Sequence, residues 1–182
     1  MSSYCQIAQN DPLHGPYHDK EYGFPITDDS VLFERLCLEI FQAGLSWSTI
    51  LKKRQNFFEA FQGFDPGVVA KFGGGDMDRL MQDAGIIRNR LKIEATIKNA
   101  RTILDLAKTH GSFSNWLLTN HPLSKDEWVK LFKKTFFFTG PEIVGEFLMS
   151  LGYLPGAHAS NCPVYKEIIV LMPPWKRASK TA

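Results

Sequence analysis

The 182 residues are enough for one compact domain with a sizeable apolar core, because 44% of them are hydrophobic and 14 are phenylalanines. A formal net charge of +2 excludes a polybasic protein of the histone class. No run approaches the roughly 18 consecutive apolar residues that a membrane helix needs, and the first twelve residues lack the apolar stretch of a signal peptide, so we expect neither a membrane span nor secretion.

The three cysteines, at positions 5, 37 and 162, are odd in number and widely spaced. This usage argues against a disulfide framework and for a reducing compartment. We therefore expect a cytoplasmic protein.

Apolar residues recur with helical spacing along most of the chain, beginning after Asp28, whose side chain can cap a helix. Pro141 suits a first helical turn, and the glycines at 73–75 are typical of a connection between helices. No pair of segments shows the alternation of strands. The pattern predicts helices over residues 28–43, 48–61, a short one after 66, 77–83, 88–108, 113–118, 125–134 and 141–151.

These elements predict an all-α fold in one domain over residues 1–172. The last ten residues, 173–182, show no helical periodicity and contain two successive prolines. We expect them to form a disordered tail.

Glu39 is the one carboxylate in the second half of the first long apolar helix, in the stretch CLEIFQAGLSW (residues 37–47). Two interpretations are open. Glu39 lies four residues after Arg35, so the two could form a surface ion pair worth a few tenths of a kcal/mol. Alternatively, its carboxylate faces a pocket near the point where Gly44 ends the helix and presents Leu45 and Trp47.

His158 and Cys162 stand four residues apart and can therefore face the same ion. Cys5 and His18, at the other end of the chain, could complete the Cys2His2 set that zinc prefers. A chance pairing of cysteine with histidine is the alternative. If the site exists, its role is to join the two ends of the chain.

Residues 80–101 (LMQDAGIIRNRLKIEATIKNAR) predict two helices joined by a tight turn at Gly85, with Arg88, Arg90 and Lys92 in the next turn. A helix N-terminus with a glycine beside it can hold a DNA phosphate without reading sequence. An ordinary helical hairpin with a solvated basic face is the alternative.

Several blocks, in order, resemble bacterial 3-methyladenine DNA glycosylase I, the Tag-type family: YHDKEYGFP (17–25), CLEIFQAGLSW, QDAGIIRNRLKIEATIKNAR and FTGPEIVGEFLMSLGYLPGAH (138–158). The resemblance covers residues 5–162. It implies a helix-hairpin-helix DNA glycosylase fold in which one structural zinc joins the N- and C-terminal segments. The ligands it implies are Cys5, His18, His158 and Cys162.

The resemblance also implies roles for the pocket. Glu39 accepts hydrogen bonds from the flipped base, Trp47 stacks on it and Tyr17 shapes the site. Gly44 and Leu45 lie at the DNA face, where Leu45 fills the gap left in the duplex.

Three positions depart from the better-known members. Ile7 stands where a Trp is frequent, His14 where a Tyr is common, and Tyr22 where a Trp is usual. The first two lie next to segments with zinc ligands.

The implied activity is hydrolysis of the N-glycosidic bond of 3-methyladenine in alkylated double-stranded DNA. It leaves an abasic site and free 3-methyladenine, without lyase activity, since the pocket block CLEIFQAGLSW contains no lysine. We expect a monomer. The alternative is a non-catalytic protein that binds alkylated DNA on the same scaffold.

Overall fold

The computed structural model describes residues 4–178, which form α-helices, one short 3-10 helix and no strand. The all-α prediction is confirmed for this range. None of the helices within it combines the length and the apolar composition that a bilayer-spanning helix needs. The α-helices are α1 Tyr4–Ala8, α2 Gly15–Lys20, α3 Asp29–Gln42, α4 Trp47–Ala60, α5 Pro66–Val69, α6 Gly74–Gln82, α7 Arg90–His110, α8 Phe113–Asn120, α9 Lys125–Thr135, α10 Pro141–Ser150, α11 Pro163–Val170 and α12 Pro174–Ala178; the 3-10 helix is Gln62–Phe64.

Side-chain caps set where the main helices begin. Asp28 accepts from the backbone N–H groups of the first turn of α3, and Ser46 accepts from Thr49 N at the start of α4. Asn89 caps α7 in the same way, so this helix starts two residues later than its apolar pattern predicts. Because each cap fixes the angle at which the chain enters the helix, the connections that surround the site are well defined.

Helix α3 is the centre of the molecule. Every residue from Leu32 to Phe41 is buried, and the helix packs against α4, α7, α8 and α10. Its C-terminal half lies beside an aromatic cluster in which Phe41 contacts Phe57 and Phe61, with ring centroids 4.6 and 5.9 Å apart. A carboxylate on this part of α3 cannot reach bulk solvent unless the neighbouring elements leave an opening.

A buried ionic network joins the loop after α2 to α3 and α4. Arg35 is 2% exposed and donates to Glu21 Oε2 at 2.6 Å, and Arg54 donates to both Glu21 and Glu34 at 2.8 Å. Arg35 therefore pairs with Glu21 rather than with Glu39, and the surface ion pair considered for Glu39 is absent. The network leaves Glu39 free for another role.

The C-terminal segment differs from the prediction over its described part. Residues 174–178 form α12, and the Trp175 N–H donates to the Gly152 carbonyl at 3.1 Å. Gly152 has φ +72°, and a Cβ there would lie 2.8 Å from Pro173 Cβ, so the two segments are in close contact. Burial of the prolines explains why residues 173–178 are ordered; residues 179–182 lie outside the described range.

Candidate active site and metal centre

A cavity of about 720 Å³ opens between the C-terminal half of α3, the N-terminal segment that carries α1 and α2, and the start of α10. Its walls are mostly aromatic and carboxylic, which is the composition of a small-molecule site rather than of a packing defect. The lining residues are Tyr4, Tyr17, Tyr22, Glu39, Gln42, Ala43, Gly44, Trp47, Gly140, Pro141, Glu142, Ile143 and Glu146.

Glu39 lies at the base of this cavity. Its side chain is 6% exposed, and no donor among residues 4–178 hydrogen-bonds its carboxyl group. Burial, followed by the negative charge of Glu146, raises the pKa of Glu39 to about 8, although the Arg35 guanidinium acts in the opposite direction. The group is therefore mostly protonated at neutral pH when the cavity holds no cation.

Two of the predicted residues form an aromatic wall. The ring centroids of Tyr17 and Trp47 are 5.1 Å apart and their planes are inclined by 57°. Arg35 lies behind Tyr17, with its guanidinium carbon 4.7 Å from the ring centroid. Arg35 does not line the cavity, so its cation supports the ring from outside the cavity, and a flat ligand can contact Trp47.

Tyr4 is a wall residue that the sequence did not indicate. Its hydroxyl hydrogen-bonds His14 Nδ1 at 3.2 Å, and His14 Nε2 bonds the Ser48 hydroxyl at 2.7 Å. His14 is therefore a buried polar support for Tyr4. Ile7, by contrast, is 49% exposed and does not line the cavity.

Glu146, on α10, is a second carboxylate in the cavity that the sequence did not indicate. It is half-buried, and its Oε2 accepts a hydrogen bond from the Tyr22 hydroxyl at 3.1 Å. Burial also raises the pKa of Glu146, and the nearby Lys125 opposes this rise.

The turn between α3 and α4 forms the rim of the cavity. Gly44 has φ +83°, a conformation that favours glycine, and Leu45 is 39% exposed at the tip. The buried Lys92 ammonium donates to the carbonyls of Phe41 and Ala43 at 3.0 and 2.6 Å. An apolar side chain is thus held out from the surface on a rigid turn beside the pocket opening.

The turn between α6 and α7 is hydrogen-bonded to side chains of α4 and is therefore not exposed on every side. Lys53 and Asn56 donate to the Gly85 carbonyl at 3.1 and 3.3 Å, and the Gly85 N–H donates to Asp83 Oδ1 at 2.7 Å. A Cβ at Gly85 would lie 2.9 Å from Asp83 Oδ1 and 3.1 Å from the Asn56 side chain, so a larger residue would displace these groups. The N–H of Gly85 already has an acceptor.

The basic residues that follow are placed differently. Arg88 and Arg90 are exposed, and no acceptor within residues 4–178 bonds the backbone N–H groups of Ile87 and Arg88. Unpaired donors and two guanidinium groups at the start of a 21-residue helix form a suitable surface for an anion.

The four predicted metal ligands meet at one point. The candidate ligand atoms of Cys5, His18, His158 and Cys162 all lie within 4.8 Å of one another. Cys162 Sγ is 3.6 Å from His158 Nδ1 and 3.8 Å from His18 Nε2, and Cys5 Sγ is 3.8 Å from His158 Nδ1. These separations are close to the edges, about 3.3–3.8 Å, of a tetrahedron with metal–ligand distances of about 2.0–2.3 Å.

The remaining ring nitrogens of both histidines have acceptors. His18 Nδ1 lies 2.7 Å from an Asp19 carboxylate oxygen, and His158 Nε2 lies 2.7 Å from the Tyr22 carbonyl oxygen. Such partners orient the ring and leave the other nitrogen available to a metal. The donor set and its hydrogen bonds therefore fit a tetrahedral metal ion with no open position.

The family model for methyladenine glycosylases matches residues 7–130. The DNA-3-methyladenine glycosylase of Haemophilus influenzae is 38% identical over 182 residues, which cover 90% of this chain and 98% of that protein. DNA-3-methyladenine glycosylase 1 of Escherichia coli is 42% identical over 180 residues, which cover 88% of this chain and 96% of that protein.

Solved structures of 3-methyladenine DNA glycosylase I also match this chain. The 3-methyladenine DNA glycosylase I of Staphylococcus aureus matches with a TM-score of 0.80 and 35% identity, covering 88% of this chain and 95% of that chain. A variant of 3-methyladenine DNA glycosylase I in complex with 3-methyladenine matches with a TM-score of 0.81 and 34% identity, covering 88% of this chain and 96% of that chain.

The buried carboxyl group of Glu39 makes stability depend on pH. The folded state keeps this proton up to about pH 8, whereas the unfolded chain loses it near the ordinary value of 4.5, so stability falls as pH rises between these values. Glu39→Gln removes this dependence. We expect the free energy of unfolding of the variant, relative to that of the wild type, to rise by on the order of a few kcal/mol between pH 5 and pH 9. Urea unfolding at each pH measures this difference.

Glu59→Gln, which replaces an exposed carboxylate on α4, is the matched control and should follow the wild-type curve. Parallel curves for Glu39→Gln and the wild type over the whole pH range would show that Glu39 titrates normally.

Proposed function

The chain belongs to the methyladenine glycosylase family, and we propose that it hydrolyses the N-glycosidic bond of 3-methyladenine in alkylated duplex DNA, leaving an abasic site. The observation that carries this proposal is Glu39, an unpartnered carboxyl group at the base of an aromatic cavity. A structural relative described as a 3-methyladenine DNA glycosylase I variant in complex with 3-methyladenine supports the choice of base.

A base inside a duplex cannot reach this cavity, so the target nucleotide must leave the stack. The flipped base then lies against Trp47 and within the wall that Tyr17 and Tyr4 form. A methyl group on N3 gives adenine a positive charge. This charge lowers the pKa of Glu39 as the base enters, because an opposite charge favours the ionised carboxylate. Glu39 accepts hydrogen bonds from the cationic base and thereby distinguishes it from neutral bases.

The reaction itself demands little from the protein. The bond between C1′ and N9 breaks with its electron pair moving to N9, which neutralises the base. A water oxygen bonds to C1′ and loses a proton. The charged base is already a good leaving group, so the pocket contributes recognition and orientation.

We propose that no Schiff base forms and that the enzyme lacks lyase activity. No lysine is among the cavity-lining residues within 4–178. Lys92, on α7 beside the rim turn, donates its ammonium to two backbone carbonyls, which disfavours its use as a nucleophile.

Two surfaces are proposed to hold the duplex. Gly44 places Leu45 where it can enter the gap left by the flipped nucleotide. The α6–α7 unit acts as the helix-hairpin-helix of DNA glycosylases and binds phosphate through the N–H groups of Ile87 and Arg88 and the side chains of Arg88 and Arg90. In this proposal Gly85 acts by packing the turn on α4 and not by contacting phosphate.

We further propose that the Cys2His2 cluster holds one structural zinc ion that joins the two ends of the chain. Thiolate and imidazole ligands in a closed tetrahedral set favour zinc over magnesium or calcium. Two of the three cysteines, Cys5 and Cys162, would bind the ion as thiolates, which fits the proposal of a reducing, cytoplasmic location. Pocket, rim turn and hairpin all lie in one chain, and we propose that the enzyme acts as a monomer.

Release of bases from methylated duplex DNA, followed by chromatography, tests the activity. We expect the wild type to release 3-methyladenine, and kcat/KM to rise with pH to a plateau above about pH 8, as Glu39 ionises. Glu39→Gln should lower the plateau roughly ten- to a hundred-fold, because it removes a charge-assisted hydrogen bond, and should abolish the acid limb. The control Glu59→Gln should retain the wild-type plateau and the acid limb. No release by the wild type would contradict the proposed function.

Binding to undamaged duplex DNA tests the phosphate surface. Arg88→Gln and Arg90→Gln should each make the plot of log K against log salt concentration less steep by about 1, for all sequences alike. Lys108→Gln is the matched control, because this exposed residue of α7 lies 18 residues beyond Arg90, roughly 27 Å along the helix. An unchanged slope with a changed preference among released bases would remove Arg88 and Arg90 from the phosphate surface.

Metal analysis tests the zinc proposal. Protein purified without chelator should contain one zinc per chain, and Cys162→Ser should lose it together with thermal stability. Cys37→Ser is the control: Cys37 is buried in the core and away from the cluster, so its substitution lowers the melting temperature but leaves the zinc content at one. Wild-type protein without stoichiometric zinc would refute this proposal.

A further inference from the structure

Glu146 lies on the face of α10 that borders the cavity, and its two carboxylate oxygens have different surroundings. Oε2 accepts the Tyr22 hydroxyl at 3.1 Å, whereas no donor among residues 4–178 reaches Oε1. Tyr22 is itself buried, and its carbonyl oxygen lies 2.7 Å from His158 Nε2. One oxygen of this cavity-lining carboxylate is thus held, and the other has no donor among the described residues.

The charges around Glu146 do not neutralise it. Glu39 on α3 and Glu142 on α10 are carboxylates in the same cavity, and Tyr22 is an uncharged phenol. The nearest cation is Lys125 on α9, which is half exposed and lies 3.9 Å from Glu142 Oε1. Arg35 affects Glu39 but bonds Glu21. The cavity therefore has three carboxyl groups and, among the described residues, no lining cation to pair with them.

Two carboxylates in one partly desolvated cavity oppose each other's ionisation, which is unfavourable for the folded protein. A cation in the cavity relieves this repulsion. Glu39, nine-tenths buried and without a partner, already indicates where such a cation binds. The position of Glu146 places a second acceptor on another wall of the same space.

We propose that Glu146 is a second specificity-determining carboxylate, which contacts the flipped cationic base through Oε1 while the Tyr22 hydroxyl holds Oε2. Tyr22 is then a positioning residue. The inference rests on the proposed function, because it assigns a residue that recognises the positive charge of 3-methyladenine. It explains why a tyrosine, with its hydroxyl, occupies position 22: a side chain without that group would leave Glu146 unsupported.

The experiment compares kcat/KM for 3-methyladenine release from methylated duplex DNA across pH 6–9.5, with spontaneous release subtracted, in the wild type and in Glu146→Gln. We expect the plateau to fall about tenfold, because one charge-assisted contact is lost. We also expect the midpoint of the acid limb to move to lower pH, because the charge of Glu146 no longer raises the pKa of Glu39. A merely structural residue would lower the rate without moving this midpoint.

Three further variants separate charge from packing. Glu146→Asp keeps the charge and should retain the wild-type midpoint. Tyr22→Phe removes only the hydrogen bond to Glu146 Oε2. It should raise KM and leave the midpoint of the acid limb little changed. Glu167→Gln, an exposed carboxylate on α11, is the matched control and should leave plateau and midpoint unchanged.

Melting temperatures identify any variant that fails to fold, and affinity for an abasic duplex should be the same for wild type and Glu146→Gln. A wild-type plateau and midpoint in a folded Glu146→Gln variant would overturn the inference. If the wild type itself releases no 3-methyladenine, the proposed function fails instead, and the two failures are therefore distinct.

Discussion

The convergence of Cys5, His18, His158 and Cys162 is the constraint on which the pocket depends. The segment that carries α1 and α2 has little apolar core of its own, since Ala8, Tyr17 and Tyr22 are the buried hydrophobic residues that the structure describes within residues 4–25. Yet this segment supplies the three tyrosines of the cavity wall. One precedes Cys5, one precedes His18, and the third is held through its carbonyl by His158. Whatever fixes the four ligands therefore also fixes the wall against α3.

Burial of carboxylates next to this wall destabilises the folded protein, but it leaves these groups available to recognise a ligand. Among the residues that the structure describes, Glu39 has no hydrogen-bond donor and Glu146 has one, so neither is compensated as buried acids usually are. The guanidinium of Arg35 pairs with Glu21 instead. The protein thus keeps its structural salt bridges apart from its recognition charges, and the latter remain free for a ligand.

The sequence predicted the helices well because their apolar spacing and caps are local signals. Glu39 was found in the same way, as an acid in an apolar helix. Glu146 carries the same signal in EIVGEFLMS, but only the packing of α10 shows that it faces the cavity. The contacts of Tyr4 and Gly85 could not be predicted from the neighbouring sequence either. A lone aromatic gives no direction, and a glycine shows that something comes close without showing that it is Asn56.

The charge of the cavity has a consequence for turnover. When the glycosidic bond breaks, the base becomes neutral, and its attraction to the carboxylates ends in the same step. Under the proposed function the free base therefore leaves readily. In the same proposal the abasic duplex is held by other parts of the protein, the rim turn and the α6–α7 hairpin, whose contacts do not change when the base departs. Departure of the DNA then becomes the slow step, so ionic strength sets how many lesions one molecule processes in a given time.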